Sequence, residues 1–371
     1  MQICYCLQYM REVKNWFVIA IIFILLILVA LNSPGNKTEI EKIKNLTTTE
    51  DQGVELRKLL ERVGPVEAQE QMLKSGLPFT GQTHLLIHVI GDYIYDKYGT
   101  EGLPLCRDYF LSACYHGFII NTLADHGMAG MVEVIEKCQT AGPGVLPQCA
   151  HGAGHGFVAW HDYDLVKGAE MCDELGTRVD NFPHFNCYDG VFMENVWGVH
   201  DGKPSEKRWV KEGEIYYPCT DKRIPEKYLG GCWSNQATLI YQYYKGDLRK
   251  TAQACDAVEN AIYRDTCYNN FSRQIHPLTE GRKEKVAALC ANATGIKRQE
   301  ECMLTNMTAY WSVGDRVIPF ELCSNANEPL KSACFDRLIG MIKYQYSNMP
   351  KEKELYCGKI LSKSHQDKCT K

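Results

Sequence analysis

The sequence lacks the short motifs by which common enzyme classes are recognised. It contains no Gly-x-Ser-x-Gly elbow, no His-Glu-x-x-His zinc motif and no phosphate-binding loop. Cys-x-x-Cys is also absent, which weakens a cysteine zinc site and excludes the Cys-x-x-Cys-His signature of attached haem. We therefore expect neither haem nor a nucleotide as cofactor.

A large net charge is missing too. The chain has 41 Lys and Arg residues against 45 Asp and Glu residues, which gives a formal net charge of −4 at pH 7. The basic residues are scattered, whereas nucleic-acid-binding proteins cluster them in stripes that face the phosphate backbone. The composition therefore predicts no nucleic-acid partner.

Cysteine, by contrast, is abundant. Of 18 cysteines, Cys4 and Cys6 precede an apolar segment, and all the others fall into eight successive pairs. An even set at regular spacing predicts a disulfide framework and an oxidising compartment, and paired cysteines do not act as nucleophiles. Spacing leaves the connectivity open but favours pairing inside each hairpin. The pairs are then Cys106–Cys114, Cys138–Cys149, Cys172–Cys187, Cys219–Cys232, Cys255–Cys267, Cys290–Cys302, Cys323–Cys334 and Cys357–Cys369.

The cysteine pairs recur with the period of a helical repeat. The second cysteines follow one another at intervals of 35, 38, 45, 35, 35, 32 and 35 residues, and each opens a long helical pattern. Periods in this range are typical of stacked helical hairpins, in which each unit contacts only its neighbours. We predict an all-α fold of about eight disulfide-stapled hairpins, each roughly 35 residues long, as an α-solenoid or an α/α toroid.

The N-terminus predicts export. Residues 16–31 are uninterruptedly apolar and follow Arg11 and Lys14, a basic flank that places the N-terminus inside. We expect a single-pass signal anchor that holds the protein to the membrane, with a cleaved signal peptide and secretion as the alternative. Met10 is an alternative start. Sequons, which fit an exported chain but recur by chance, lie at Asn36, Asn45, Asn270, Asn292 and Asn306.

The chain divides into six predicted segments. They are a cytoplasmic N-terminus (1–15), the transmembrane anchor (16–31), a polar extracytoplasmic tether (32–53), His-rich helical repeats (54–200), an insertion loop (201–227) and Cys-paired helical repeats (228–371). The insertion accounts for the single long interval between cysteine pairs. Insertions in repeat arrays usually lie on the working face.

Histidines concentrate in the His-rich repeats and recur in one slot. The segments Cys114-Tyr-His116-Gly117, Cys149-Ala-His151-Gly152 and Cys187-Tyr-Asp189-Gly190 align, and His84 fits the same slot one repeat earlier. His84 with His88, and His151 with His155, are spaced i, i+4, so each pair can bind one metal ion from one helix face. The helical glycines Gly152, Gly154 and Gly156 indicate that another helix or a ligand approaches closely.

These residues predict a metal site. The candidate ligands are His84, His88, His116, His151 and His155, and the candidate catalytic bases, acting on metal-bound water, are Asp189 and Glu194. Such ligands suit a divalent ion, Zn, Cu or Fe. The residues of this slot, His84, His116, His151 and Asp189, form a column through successive repeats. If helices pack roughly 10 Å apart, residues of the column in successive repeats cannot share one ion unless the array curves strongly. Two ions, one at each pair, or purely structural histidines are the alternatives.

Together these motifs resemble an exported Cys/His-rich helical-repeat family of bacteria and archaea. The resemblance rests on His84-x-x-x-His88-x-x-Gly91, the two Cys-x-His-Gly segments, His151-Gly-x-Gly-His155 and Cys187-Tyr-Asp-Gly-Val-Phe-Met-Glu-Asn195. It covers about residues 64–197 and departs at Gln82, where a cysteine is expected. The later repeats resemble Sel1-like cysteine-rich proteins in their staples alone. Neither resemblance implies a reaction.

Two functions follow as hypotheses. The first is a membrane-anchored, extracytoplasmic metal-binding protein, in its catalytic version a metalloenzyme. The second is a solenoid scaffold whose concave face binds a partner protein or a cell-surface polymer, with structural histidines.

Overall fold

The computed structural model describes residues 39–77, 80–110, 112–141, 144–200, 203–347 and 349–371, and these residues are mainly helical. A 3₁₀ helix, Gly99–Leu105, follows α4, and a short antiparallel pair, β1 (Val199–His200) and β2 (Lys203–Pro204), follows α8. The helices are α1 Glu39–Asn45, α2 Thr49–Val63, α3 Pro65–Lys74, α4 Gly81–Tyr98, α5 Ala113–Ala141, α6 Val145–Trp160, α7 Leu165–Gly176, α8 His184–Trp197, α9 Glu226–Tyr243, α10 Leu248–Asp256, α11 Ala261–Leu278, α12 Glu284–Cys290, α13 Ile296–Ser312, α14 Ile318–Asn325, α15 Leu330–Gln345, α16 Pro350–Cys357 and α17 Lys363–Thr370.

Long helices that pack on one another alternate with shorter helices. The long helices are α4, residues 113–126 of α5, α6, α8, α9, α11, α13 and α15, and each contacts the next. Gly127 breaks α5 with a positive φ of 57°, so residues 128–141 form the short helix that follows. The predicted all-α fold of disulfide-stapled helical hairpins is confirmed.

Two of the short helices start at an aspartate cap. Asp164 accepts a hydrogen bond from the Lys167 amide at the start of α7, and Asp247 accepts one from the Lys250 amide at the start of α10. Such caps satisfy backbone N–H groups that have no partner within the helix. At these two turns the aspartate therefore fixes where the chain re-enters a helix.

All eight cysteine pairs predicted from the spacing are present as disulfides. Their Cα atoms are 5.2 to 6.5 Å apart, and no bonded cysteine is more than 4% exposed. In the repeat at α10 and α11, for example, Cys255 near the end of the short helix bonds to Cys267 inside the long one. Most of the bonds fix a short helix against the start of a long one, whereas Cys219 lies in the turns before α9 and the last bond joins the short helices α16 and α17.

The last repeats contact the first. The Gln345 amide donates a 2.9 Å hydrogen bond to the Asp108 carboxylate across 237 residues of chain. A Cβ placed on Gly314 would lie 2.7 Å from the Leu73 side chain and 3.4 Å from that of Tyr109. These contacts close the array, so the α/α toroid describes it better than an open solenoid.

The predicted tether requires correction. Of residues 32–53, those from 39 on are helical in α1 and α2 apart from a short break, and residues 32–38 lie outside the described part. Ile43 is fully buried, and the Gln52 amide donates to the carbonyls of Ile43 and Leu46 at 3.0 and 3.1 Å. Residues 39–53 are folded despite their polar composition, because α1 packs on α2 and Ile43 is buried.

The predicted localisation as a single-pass membrane protein also requires correction. Within the described ranges, no helix is both long enough and apolar enough to cross a bilayer. The segment assigned to the anchor, residues 16–31, lies outside the described residues. Eight disulfides favour the alternative of an exported protein, because such bonds persist in oxidising compartments.

Removing one staple tests its energetic role. The double variant Cys255→Ser, Cys267→Ser opens a loop whose ends are 12 residues apart. We expect the free energy of unfolding to fall by about 2–3 kcal/mol, because the unfolded chain regains loop entropy. Denaturant unfolding measures the change, and peptide mapping of the wild type without reduction is the control for the pairing. An unchanged midpoint would show that this disulfide adds no stability.

Candidate metal centre

Neighbouring long helices touch backbone to backbone where the His-rich repeats meet. A Cβ on Gly117 would lie 2.3 Å from the carbonyl oxygen of His88, and one on Gly190 would lie 2.0 Å from that of His151. A Cβ on Gly154 would lie 2.0 Å from the carbonyl oxygen of Cys187. Only glycine fits at such a contact. The expectation that close approach by another helix explains the glycines is confirmed, and the expected spacing of roughly 10 Å is wrong for these helices.

This close packing brings all five predicted histidine ligands together. The ring centroids of His84 and His88 are 5.0 Å apart, and those of His151 and His155 are 4.9 Å apart. The His116 ring lies between the pairs. Its centroid is 5.1 Å from that of His84 and 5.5 Å from that of His88. It is 5.1 Å from the centroid of His151 and 5.2 Å from that of His155. Three helices, α4, α5 and α6, therefore supply one cluster of rings.

The first three rings form a group that could hold a metal ion. One nitrogen from each of His84, His88 and His116 can be chosen so that all three lie within 4.8 Å of one another. The Nδ1 of His84 is 2.8 Å from the Phe110 carbonyl oxygen, so this nitrogen carries the proton and Nε2 carries the lone pair. That Nε2 lies 3.2 Å from the Nδ1 of His116. Two nitrogens bound to one tetrahedral zinc are separated by roughly 3.3 Å, given Zn–N bonds of about 2.0–2.1 Å.

Two ring nitrogens of this group have no hydrogen-bond partner within the described part of the chain. They are the Nε2 atoms of His88 and His116, and both atoms are buried. Nearly all buried polar atoms in proteins are hydrogen-bonded or bound to an ion or water. Each of these nitrogens therefore needs a ligand. Because one imidazole offers one nitrogen to a given ion, His116 would bind the ion of the triad through either Nδ1, beside His84, or the unpartnered Nε2.

The second pair of histidines is held by the two predicted carboxylates. An oxygen of Asp189 lies 3.2 Å from the Nδ1 of His151, and Glu194 accepts a hydrogen bond from the Nδ1 of His155 at 2.8 Å. The Nε2 atoms of the two rings face each other at 3.1 Å. The hydroxyl of Tyr163 donates to the other oxygen of Glu194 at 2.8 Å. Both carboxylates orient imidazoles here, and their predicted role as catalytic bases stays a prediction.

Burial keeps four of the imidazoles neutral. It lowers the pKa of His84 to about 4, although the hydrogen bond with the Phe110 carbonyl opposes the shift. It holds the pKa values of His88 and His116 well below the usual range, and it lowers that of His151 despite the neighbouring Asp189. The neutral ring is the form that binds metals.

Asp189 stays ionised through a network that sequence reasoning found only in part. Burial alone would raise its pKa, but the interaction with His151, the charge of Arg273 and the hydroxyl of Ser234 lower it below the usual range. Asn235 donates to the same carboxylate at 3.0 Å. Ser234 occupies the slot of the histidine column one repeat later, so the column pattern does extend to it. Arg273 carries no comparable signal in the sequence.

The insertion packs beside the second pair. The Trp209 amide donates to the Asn195 side chain at 2.7 Å, and Arg208 donates to the Val196 carbonyl at 2.7 Å. Burial lowers the pKa of Arg208, while Tyr163 and Glu194 oppose that shift, so the guanidinium lies near the Glu194 carboxylate. The predicted location of the insertion next to the site agrees with these contacts, although Tyr163 and Arg208 were not identified from the sequence.

The glycine contacts predict a sharp difference between two alanine substitutions. Gly154→Ala places a methyl group against the Cys187 carbonyl, so we expect a loss of about 1–3 kcal/mol or more from overpacking. Gly340→Ala is the matched control, because Gly340 lies in α15 with no atom within 4 Å of its Cβ position. This change should stabilise the helix by up to about 1 kcal/mol. Thermal unfolding compares the two, and equal stability would contradict the packing argument.

Compared with known proteins, the chain matches no family model, no curated protein and no solved structure. The resemblance to exported Cys/His-rich repeat proteins therefore stays a prediction, and function has to be argued from the site itself.

Proposed function

We propose that this protein is an exported metal-binding protein that holds a transition-metal ion at His84, His88 and His116. The observation that carries the proposal is a buried group of three imidazoles whose donor atoms lie within 4.8 Å of one another. Two of its nitrogens lack a hydrogen-bond partner within the described ranges, which a structural role for these rings does not explain.

The donor set limits the choice of ion. Neutral imidazoles suit Zn, Cu, Fe and Ni, whereas Mg and Ca prefer oxygen ligands. Asp189 and Glu194 are already hydrogen-bonded to other histidines, so the ligands of the triad are nitrogen atoms. The proposal is therefore a divalent Zn, Cu or Fe ion, with elemental analysis to identify it.

A three-histidine site also fits the catalytic version of the proposal. Structural zinc sites are normally closed by four protein ligands, whereas catalytic sites keep one position open for water or substrate. A bound ion would supply Lewis-acid chemistry or, for copper and iron, electron transfer. The chain's contribution is to hold neutral rings in a buried position, with His84 oriented by the Phe110 carbonyl.

Removing one ligand tests the triad. In the full chain, purified without a His tag and reconstituted with Zn(II) or Cu(II), His88→Ala should lose one equivalent of metal relative to the wild type. His126→Ala is the matched control, because His126 lies on α5 beyond the cluster, is exposed and should leave the metal content unchanged. Mass spectrometry of the elements measures the ratio of metal to protein.

Two outcomes would refute the proposal. One is a His88→Ala protein that is folded and retains as much metal as the wild type. The other is a wild type that binds no metal after reconstitution with all eight disulfides formed. The second outcome would favour the scaffold hypothesis, in which residues 201–227 recruit a partner protein or surface polymer.

A further inference from the structure

We propose that His151 and His155 hold a second metal ion beside the first, so that the five histidines form a dinuclear centre. This inference rests on the proposed function, because both ions would lie in one cluster of rings. It is nevertheless carried by a different set of contacts, those between α6 and α8.

The first step concerns the protons on the two rings. The Nδ1 of His155 is hydrogen-bonded to Glu194 at 2.8 Å, and the Nδ1 of His151 lies 3.2 Å from an oxygen of Asp189. A carboxylate attracts an N–H and repels a lone pair, so we place the hydrogen of each ring on Nδ1. A neutral imidazole with its proton on Nδ1 has only a lone pair on Nε2. The two Nε2 atoms are 3.1 Å apart, which is also a hydrogen-bond distance. A hydrogen bond there would need one ring to carry its proton on Nε2, whereas protons that face the carboxylates leave two lone pairs facing each other in a buried site.

The second step concerns what could lie between them. Facing lone pairs repel, and a shared cation removes the repulsion. Two nitrogens on one tetrahedral ion are separated by roughly 3.3 Å, for metal–nitrogen bonds of about 2.0–2.1 Å, which is close to the observed spacing. A divalent ion bound by both Nε2 atoms satisfies both rings. An extra proton shared by the rings is the competing occupant, and the experiment separates the two.

The third step is the support behind the ligands. Metal-binding histidines usually donate their second N–H to a carboxylate, which fixes the ring orientation and strengthens the ligand. Here both carboxylates are themselves anchored, Glu194 by the Tyr163 hydroxyl at 2.8 Å and Asp189 by the Asn235 amide at 3.0 Å. The rings are therefore held in place before any ion arrives.

The fourth step concerns the first metal site and the charged residues that surround the second one. The His116 ring lies 5.1 and 5.2 Å from the second pair and also belongs to the triad, so the two ions would be adjacent. Asp189 and Glu194 bring negative charge that favours a cation. Arg273, whose charge acts on both His151 and Asp189, opposes it. With two imidazoles instead of three, the second ion should bind more weakly than the first.

Copper titration of the full chain tests this inference. We expect two equivalents of Cu(II) in the wild type and in His126→Ala, and one equivalent in either His88→Ala or His155→Ala. In the doubly loaded wild type, magnetic coupling between adjacent ions should reduce the integrated electron paramagnetic resonance signal well below the total copper. Each singly loaded variant should give one full spin per copper.

A milder substitution guards against misfolding. Glu194→Gln keeps the size of the side chain but removes its charge, so it should weaken the second equivalent alone, by 10- to 100-fold on the usual scale of such supporting residues. The first equivalent serves as the internal control in the same titration. If Glu194→Gln binds both equivalents as tightly as the wild type, the second site is refuted.

The outcomes separate this inference from the proposed function. A wild type that binds one copper, retained in His155→Ala and lost in His88→Ala, refutes the second site and leaves the triad standing. One copper lost in both variants means a single shared ion and also refutes it. Copper lost only in His155→Ala supports the second site and refutes the triad. No copper in the wild type refutes both.

Discussion

The structure depends on direct backbone contact between neighbouring long helices at glycine. The carbonyl oxygen that Gly154 meets belongs to Cys187, and Cys187 is bonded to Cys172 of the preceding short helix. Gly91 meets the carbonyl of Cys114, which is likewise stapled. The disulfide fixes the start of a long helix, and the glycine opposite lets the next helix approach it. Neither would suffice alone, because a fixed helix without glycine would still be held at the ordinary packing distance.

This contact makes a buried cluster of imidazoles geometrically feasible, and burial then decides their chemistry. Desolvation disfavours the charged form of His84, His88, His116 and His151 and lowers the pKa of each. A neutral ring has one N–H to donate and one lone pair. Carboxylates or a carbonyl accept from the Nδ1 atoms of His84, His151 and His155. Since these hydrogen bonds run to other rings, carboxylates and a carbonyl, the histidines do not cap helices. The remaining lone pairs converge, which is the electronic arrangement that a cation satisfies.

Local patterns predicted the repeats and the staples, because both are set by residues near one another in sequence. Cysteine spacing gave the pairs, and the slot after each second cysteine gave the column of His116, His151 and Asp189. The distance between helices was not predictable, because it depends on which residue of the facing helix meets each glycine. Closure of the array through the hydrogen bond between Gln345 and Asp108 was not predictable either, because no sequence pattern relates two polar residues 237 positions apart. The role of Glu194 as a partner of His155 likewise required the register between α6 and α8.

The His-poor half of the array shows why the cluster is confined to the first long helices. There, asparagines join the helices: Asn270 accepts from the Thr238 amide at 2.9 Å, and Asn306 donates to the Ser272 carbonyl at 3.1 Å. An amide side chain needs room between the helices, whereas a glycine removes that room. Both asparagines lie in glycosylation sequons, yet they are at most 3% exposed and cannot carry a glycan once folded. Side chains in the slot can converge only where glycine brings the backbones into contact, so a metal centre of this kind requires the Cys-x-His-Gly repeats and could not form in the later ones.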